Sequence, residues 1–221
     1  MDRRHFTLDY VERVKLRDGT PVLLRLVTSD DKELLRRGFD HWSQQSRYTR
    51  FLVPKQRLSD DELIYLTDVD QETHFALGAI GEVGDGNGEP IGLGIARFIR
   101  LPGEPVTAEA AISVADEAQG KGLGRLLFLR LAAAAAERGI ERFRCDVLCS
   151  NESMKTLIYE IAPDHSIEVS TGVMSIDFAV PSVSPTLSTD KPPTGPMYRF
   201  FRAVAEKKVE LTDAVSRLFG N

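Results

Sequence analysis

The sequence predicts a mixed α/β fold, and three observations predict it. Short apolar runs bounded by turn residues recur along the first 180 positions. Longer segments with helical spacing fall between some of them rather than forming a separate block. One glycine-rich stretch, Gln119-Gly120-Lys121-Gly122-Leu123-Gly124, joins a strand-like run to an Ala/Leu-rich helical run. At 221 residues, 42% hydrophobic and 28% charged, the chain fits one ordinary domain plus an extension.

Taken in order, residues 11–17 alternate, Asp18-Gly19 turns, and residues 21–27 form a second apolar run, so a strand pair is expected. Thr28-Ser29-Asp30-Asp31 offers caps for a helix to about Trp42. Ser59-Asp60-Asp61-Glu62 is a Ser-x-x-Glu capping box opening a short second helix. Strands are predicted over 74–83, 91–100 and 107–114, separated by the Gly-rich turn at 84–89 and by Leu101-Pro102-Gly103-Glu104-Pro105. A helix from Gly124 to about Arg138 follows, with Gly139 as its C-cap. Then come a strand at 141–147, a helix capped by Ser150 or Asn151 and ended by Pro163, and a closing pair at 167–169 and 173–180.

Strand, glycine loop, helix start is an order that builds an anion cradle. Glycines let the backbone turn tightly and leave N–H groups uncovered, and the helix adds unpaired N–H groups and its positive dipole end. The loop is not a Walker A element, which needs Gly-Lys followed by Ser or Thr, and its alternating glycines differ from Gly-x-Gly-x-x-Gly. The plain alternative is a turn that holds no ligand.

The string Q-x-x-G-x-G, after a strand and opening a helix, resembles the acyl-CoA pyrophosphate loop of the GNAT superfamily of N-acetyltransferases. Ala108–Glu117 resembles that family's fourth strand and the turn after it, and Asn151-Glu152-Ser153-Met154 the start of its fourth helix. Ser46–Leu52 and Leu58–Leu63 resemble the helix-one to helix-two region of bacterial protein-lysine acetyltransferases. The resemblance covers roughly residues 10 to 180. It implies a mostly antiparallel sheet of about seven strands, splayed at strands four and five, with flanking helices.

It also implies a site. Acetyl transfer from a thioester to an amine needs a neutral nucleophile. An alkylammonium of pKa ~10.4 is protonated at pH 7, so a general base helps. Glu109, the only carboxylate in the apolar strand before the loop, is the candidate base; the alternative is a solvated edge residue. By the same resemblance Ile112, Ser113 and Val114 would pair through their backbones with the pantetheine arm, with the Val114 N–H as acyl-oxygen donor. Gln119, Gly120, Lys121, Gly122, Gly124 and Arg125 would hold the pyrophosphate. Asn151, with Ser153 beside it, would reach the pantetheine or acyl region, or act simply as an N-cap. Many relatives carry a tyrosine seven residues after this asparagine; here Ile158 stands there and Tyr159 is one residue, ~100° of helix, further on. The expected reaction is therefore base-assisted direct attack on acetyl-CoA. The acceptor is a protein lysine or a small amine; an acyl-CoA-binding module without transfer is the alternative outside enzymes.

A net charge of −5 argues against bulk nucleic-acid binding. No apolar run is long enough for a membrane span, and residues 1–5 lead into no signal-peptide core, so a cytoplasmic setting is expected. Cys145 and Cys149, the two cysteines, lie ~13 Å apart if on one strand, too far to bridge. The four histidines are scattered without metal-ligand spacing, so no metal is expected. The expected layout is an acetyltransferase domain over 1–180, a Pro/Ser/Thr-rich linker over 181–197 and an amphipathic helix over 198–221. That helix would either pack on its own domain or dock on a second copy or a partner.

Overall fold

The computed structural model describes residues 4–82, 89–162 and 164–180. The expected linker and C-terminal helix lie outside the described residues. The chain divides into two compact units, Met1–Arg100 with Glu109–Leu131, and Leu101–Ala108 with Ala132–Asn221.

Eight strands are described, one more than the count implied by the family resemblance: β1 (Val11–Lys15), β2 (Pro21–Leu26), β3 (His74–Gly81), β4 (Ile91–Leu101), β5 (Glu104–Val114), β6 (Arg142–Leu148), β7 (His165–Ser170) and β8 (Val173–Ala179). The helices are α1 (Lys32–Asp40), α2 (Gln44–Phe51), α3 (Asp60–Thr67), α4 (Leu123–Ala136) and α5 (Glu152–Ile161). In the first unit the strands run in the order β1-β2-β3-β4-β5, and in the second β5-β6-β8-β7. Pairs β1/β2, β2/β3, β3/β4, β6/β8 and β7/β8 are antiparallel. Strands β4 and β5 are joined by a two-residue turn, which only an antiparallel pair allows. The one parallel pair is then β5/β6, whose crossover is α4.

In the first unit alternate residues of β2, Val22, Leu24 and Leu26, are buried, as a strand with one covered face requires. Phe75 on β3 stacks on Phe98 of β4 at 5.3 Å, and Phe6 meets Phe75 edge-on. Phe39, Leu58 and Leu63 form a smaller core, with Trp42 and Phe51 packed against it. Pairing slips from Ala79–Gly94 to Ile80–Gly92, leaving Leu93 as an extra residue. Such a bulge breaks the strict alternation of faces. Its two glycines are used separately. A Cβ at Gly94 would fall 2.9 Å from Leu127 Cδ1 and 3.0 Å from Ser113 O, whereas Gly92 lies under Leu34 of α1.

In the second unit Phe143 and Phe178 pack edge to face at 6.0 Å, near buried Cys145 and Ile176 on paired strands. The end of α4 is closed as expected at Gly139, which takes φ +71°. The Ile140 N–H donates to Ala135 O and the Gly139 N–H to Ala136 O, the Schellman pattern.

Helix α2 departs from the sequence expectation, which left its residues within a connection between two helices. Ser43 caps it, its side chain accepting from the Ser46 N–H, and Leu52 closes it with φ +58°.

Candidate active site

Strand β5 ends at Val114, a 3-10 turn spans Asp116–Ala118, and α4 begins at Leu123. Between them Gly120 and Gly122 take φ of +71° and +90°, a conformation glycine adopts without strain. Nothing lies within 4 Å of where a Gly120 Cβ would be, so the loop backbone is uncovered there. Gly124 already belongs to the helix; a Cβ there would touch Val114 Cγ2 at 3.6 Å, ordinary contact.

The β1/β2 turn braces this loop. The Arg17 N–H donates to Lys121 O at 3.1 Å, and Lys121 Nζ pairs with Asp18 Oδ2 at 2.8 Å. The hydrogen bond from Lys121, helped by those from Thr20, holds the Asp18 carboxyl well below the usual carboxylate range. Arg17 itself lies against Gly122, its Nε 3.4 Å from where a Cβ would be.

Helix α2 is tied to the same loop. Asp116 accepts from the Ser43 N–H at 2.7 Å, from Ser43 Oγ at 3.0 Å and from Ser46 Oγ at 2.6 Å. These bonds outweigh desolvation and lower its pKa. The Gln119 side-chain amide turns inward, donating to Val114 O at 3.1 Å and Ser46 Oγ at 3.4 Å. Lys121 and Arg125 are half-buried.

Along β5, Glu109 is exposed and makes no hydrogen bond or ion pair with any described residue. Ile112 and Val114 are half-buried, and Ser113 is buried with its Oγ lacking a partner. The structure thus gathers Glu109, Ile112–Val114 and Gln119–Arg125 on one strand–loop–helix segment of the first unit. Asn151 and Ser153 belong to the second unit. There the Asn151 side chain accepts from the Met154 N–H at 3.1 Å and caps α5, with Ser153 exposed in the first turn. Ile158 is fully buried, whereas Tyr159 is exposed and lies against His165.

A second group in the first unit was not anticipated from the sequence. Arg97, in mid-β4 and 4% exposed, donates from Nη1 to His74 Nε2 at 3.1 Å and from Nη2 to Leu66 O at 3.2 Å. A guanidinium only donates, so His74 Nε2 carries the lone pair and Nδ1 the proton. Burial and the Arg97 charge push His74 down to about 4. Burial and the neighbouring Arg50 push Arg97 down to about 9. Arg50, near the end of α2, is lowered by desolvation, an effect opposed by the nearby Glu109 carboxylate and by Tyr65. The signal in the sequence was an arginine interrupting the apolar run Ile91–Leu101.

The sequence profile of the acetyltransferase (GNAT) family matches residues 37–158, more than half of the chain. The chain belongs to the GNAT acetyltransferase family. It is 30% identical over 177 residues to Acetyltransferase Pat of Mycolicibacterium smegmatis, covering 77% of this chain. It spans about half, 49%, of that relative's length. The crystal structure of the GNAT domain of S. lividans PAT superposes with a TM-score of 0.66 at 30% identity, covering 76% of this chain and 96% of that one. The fold is also that of yncA from Salmonella typhimurium, solved with its cofactor acetyl-CoA: TM-score 0.56, 17% identity, 78% and 98% covered.

Proposed function

We propose that this GNAT chain transfers an acetyl group from acetyl-CoA to a primary amine, a protein lysine first and a small amine second. The observation that carries the reading is Glu109, an exposed carboxylate that makes no hydrogen bond or ion pair with a described residue, on the strand that runs into the open glycine loop. A carboxylate spent on an ion pair would be a poor base; this one is available.

The residues present fit acetyl-CoA. Gly120 lies open, and Gly120 and Gly122 give the loop the backbone turn suited to a pyrophosphate, with Lys121 and Arg125 supplying charge beside it. The buried Ser113 Oγ lacks a protein partner, as a hydroxyl beside a ligand channel would. Acetyl-CoA supplies the thioester, whose thiol of pKa ~8.5 departs without help from an acid. Glu109 takes the proton of the incoming ammonium, directly or through water, and exposes the nitrogen lone pair. Val114 would offer its N–H to the acyl oxygen. Gln119 holds the loop to the strand end through Val114 O, so its part is positioning, and Gly124 sets the helix start close to Val114. Asn151 and Ser153 would serve the pantetheine side. Base-assisted direct attack agrees with the exposed, solvent-side Tyr159.

The test is Glu109→Gln. It should keep acetyl-CoA affinity by calorimetry and lower kcat/KM by about 10²–10⁴-fold, most strongly near neutral pH. Unchanged turnover with every accepted amine would remove Glu109 from the mechanism.

A further inference from the structure

The turn between β1 and β2 lies against the glycine loop, in the same unit of the chain. Leu16, Arg17, Asp18 and Gly19 make that turn. The Gly19 N–H closes it by donating to Leu16 O at 2.9 Å, and Gly19 takes φ +86°. Arg17 is thereby held in one place, and its own N–H donates to Lys121 O at 3.1 Å. Its side chain runs over Gly122. Arg17 Nε, Cγ and Cδ stand 3.4, 3.6 and 3.7 Å from where a Gly122 Cβ would be, so the stem lies where a side chain at 122 would press on it. Gly122 is also where α4 starts, its carbonyl accepting from the Leu126 N–H at 3.1 Å. The first N–H groups of a helix find no carbonyl within it, and its dipole is positive at this end.

A cation at the positive end of a helix is unfavourable unless an anion joins it. Arg17 is exposed, and its side chain makes no hydrogen bond or ion pair with a described residue. Asp18, the carboxylate beside it in the turn, is engaged by Lys121 Nζ at 2.8 Å and by the Thr20 N–H at 3.0 Å. Two cations thus meet the start of α4 at this loop, and of the two only Lys121 has a described carboxylate partner. Bracing the loop accounts for the Arg17 N–H and for the packed stem, and a methionine stem would serve as well. It does not account for the charge. A phosphoryl group does, since a guanidinium fork matches two of its oxygens.

We propose that Arg17 belongs to the cofactor site, where its guanidinium takes phosphoryl oxygens of acetyl-CoA from outside the strand–loop–helix segment. The inference rests on the reading of the glycine loop as the seat of the cofactor's phosphates. Two groups of CoA offer this chemistry, the pyrophosphate and the 3′-phosphate of the adenosine.

The test uses the full chain and calorimetry with CoA and with 3′-dephospho-CoA, at low and high salt. Arg17→Met keeps the backbone bond and the stem over Gly122 but removes the charge. It should weaken CoA by about tenfold, the size of a charge-assisted hydrogen bond. The loss should shrink at high salt, and Arg17→Lys should recover part of it. An equal loss with 3′-dephospho-CoA assigns Arg17 to the pyrophosphate; a loss confined to CoA assigns it to the 3′-phosphate. Wild-type affinity for both ligands in Arg17→Met overturns the proposal. So does a loss that ignores salt and that lysine does not restore, which would make Arg17 a brace. Gly120→Val, which puts a β-branched side chain at φ +71°, tests the loop separately. Affinity that survives Gly120→Val but falls in Arg17→Met takes the phosphates off the loop and leaves Arg17 as their ligand. Affinity lost in Gly120→Val but intact in Arg17→Met does the reverse.

Discussion

Arg130 has no exposed surface, yet it sits in an Ala/Leu-rich helix where the sequence offers it nothing to pair with. Its partner comes from β1: Nε and Nη2 donate to the two oxygens of Glu12 at 2.7 and 2.6 Å. Tyr10 OH adds a third bond to the same carboxylate. Burial and the Glu12 charge push the Tyr10 phenol up. Breaking a buried pair from one side leaves an uncompensated charge, which costs about 3–5 kcal/mol. Glu12→Ala should lower unfolding stability by that order in urea titration, and Glu12→Met with Arg130→Met should recover much of it. A double variant no better than the single would show that the pair itself was not what the single change lost. The contrast with Glu109 shows what was legible at this scale. An isolated carboxylate in an apolar strand stands out in a sequence. A salt bridge spanning 118 positions does not, because nothing local marks either residue as half of it.

At the scale of elements, legibility followed local determinants. The Ser59–Glu62 box reappears with both reciprocal bonds, since its geometry lies within four residues. The Gly120 and Gly122 turn is legible for the same reason: only glycine takes those φ values freely. Helix α2 was missed because it has no buried residue to make a stripe, and its anchors are hydroxyls reaching across to Asp116. Asp116→Ala should therefore raise amide hydrogen exchange in Gln44–Phe51 and in the loop at 119–122, while exchange in β1–β3 stays unchanged. Unaltered protection in α2 would mean that Ser43 alone holds it. The β1/β2 turn presents a separate case. Asp18 places a negative charge against Lys121, in a loop expected to receive phosphate. Exposed ion pairs are worth little, so Asp18→Asn should tighten CoA binding by no more than about fivefold. Salt should shrink the gain. Calorimetry at low and high salt measures both; weaker binding would show that Asp18 orders the loop more than it repels the ligand.

For the whole molecule, what the sequence laid out best was the order of strands and helices, because period-2 runs and turn residues are written locally. The charged groups that bear on pH stability were not, because their partners come from distant elements. Three of them in the first unit act in one direction. Burial and the Arg97 charge hold His74 at about 4, below its ordinary 6.5. Asp70 is held at about 2 against burial by its bonds from Thr73 and the 72–74 backbone. Asp31 is lowered, against burial, by the Arg25 guanidinium, which bonds both its oxygens. For each, the unfolded chain takes up a proton at a pH where the native state does not. Stability therefore rises with pH through each window and is lost as pH falls. The His74 window stands apart from those of the two carboxyls: its contribution is complete above pH 6.5 and gone by about 4, while Asp70's is lost from 3.8 down to about 2. A shift of this size on a half-buried ring, discounted for screening, is worth about 1–3 kcal/mol. Urea titrations from pH 7 to 4 should show stability falling by that amount across the His74 window. His74→Gln keeps an acceptor for Arg97 Nη1 but cannot titrate, so its stability should stay nearly flat from pH 6.5 to 4 and fall only below it. A variant with the wild-type slope in that window would place the acid sensitivity elsewhere and free His74 from its bond to Arg97.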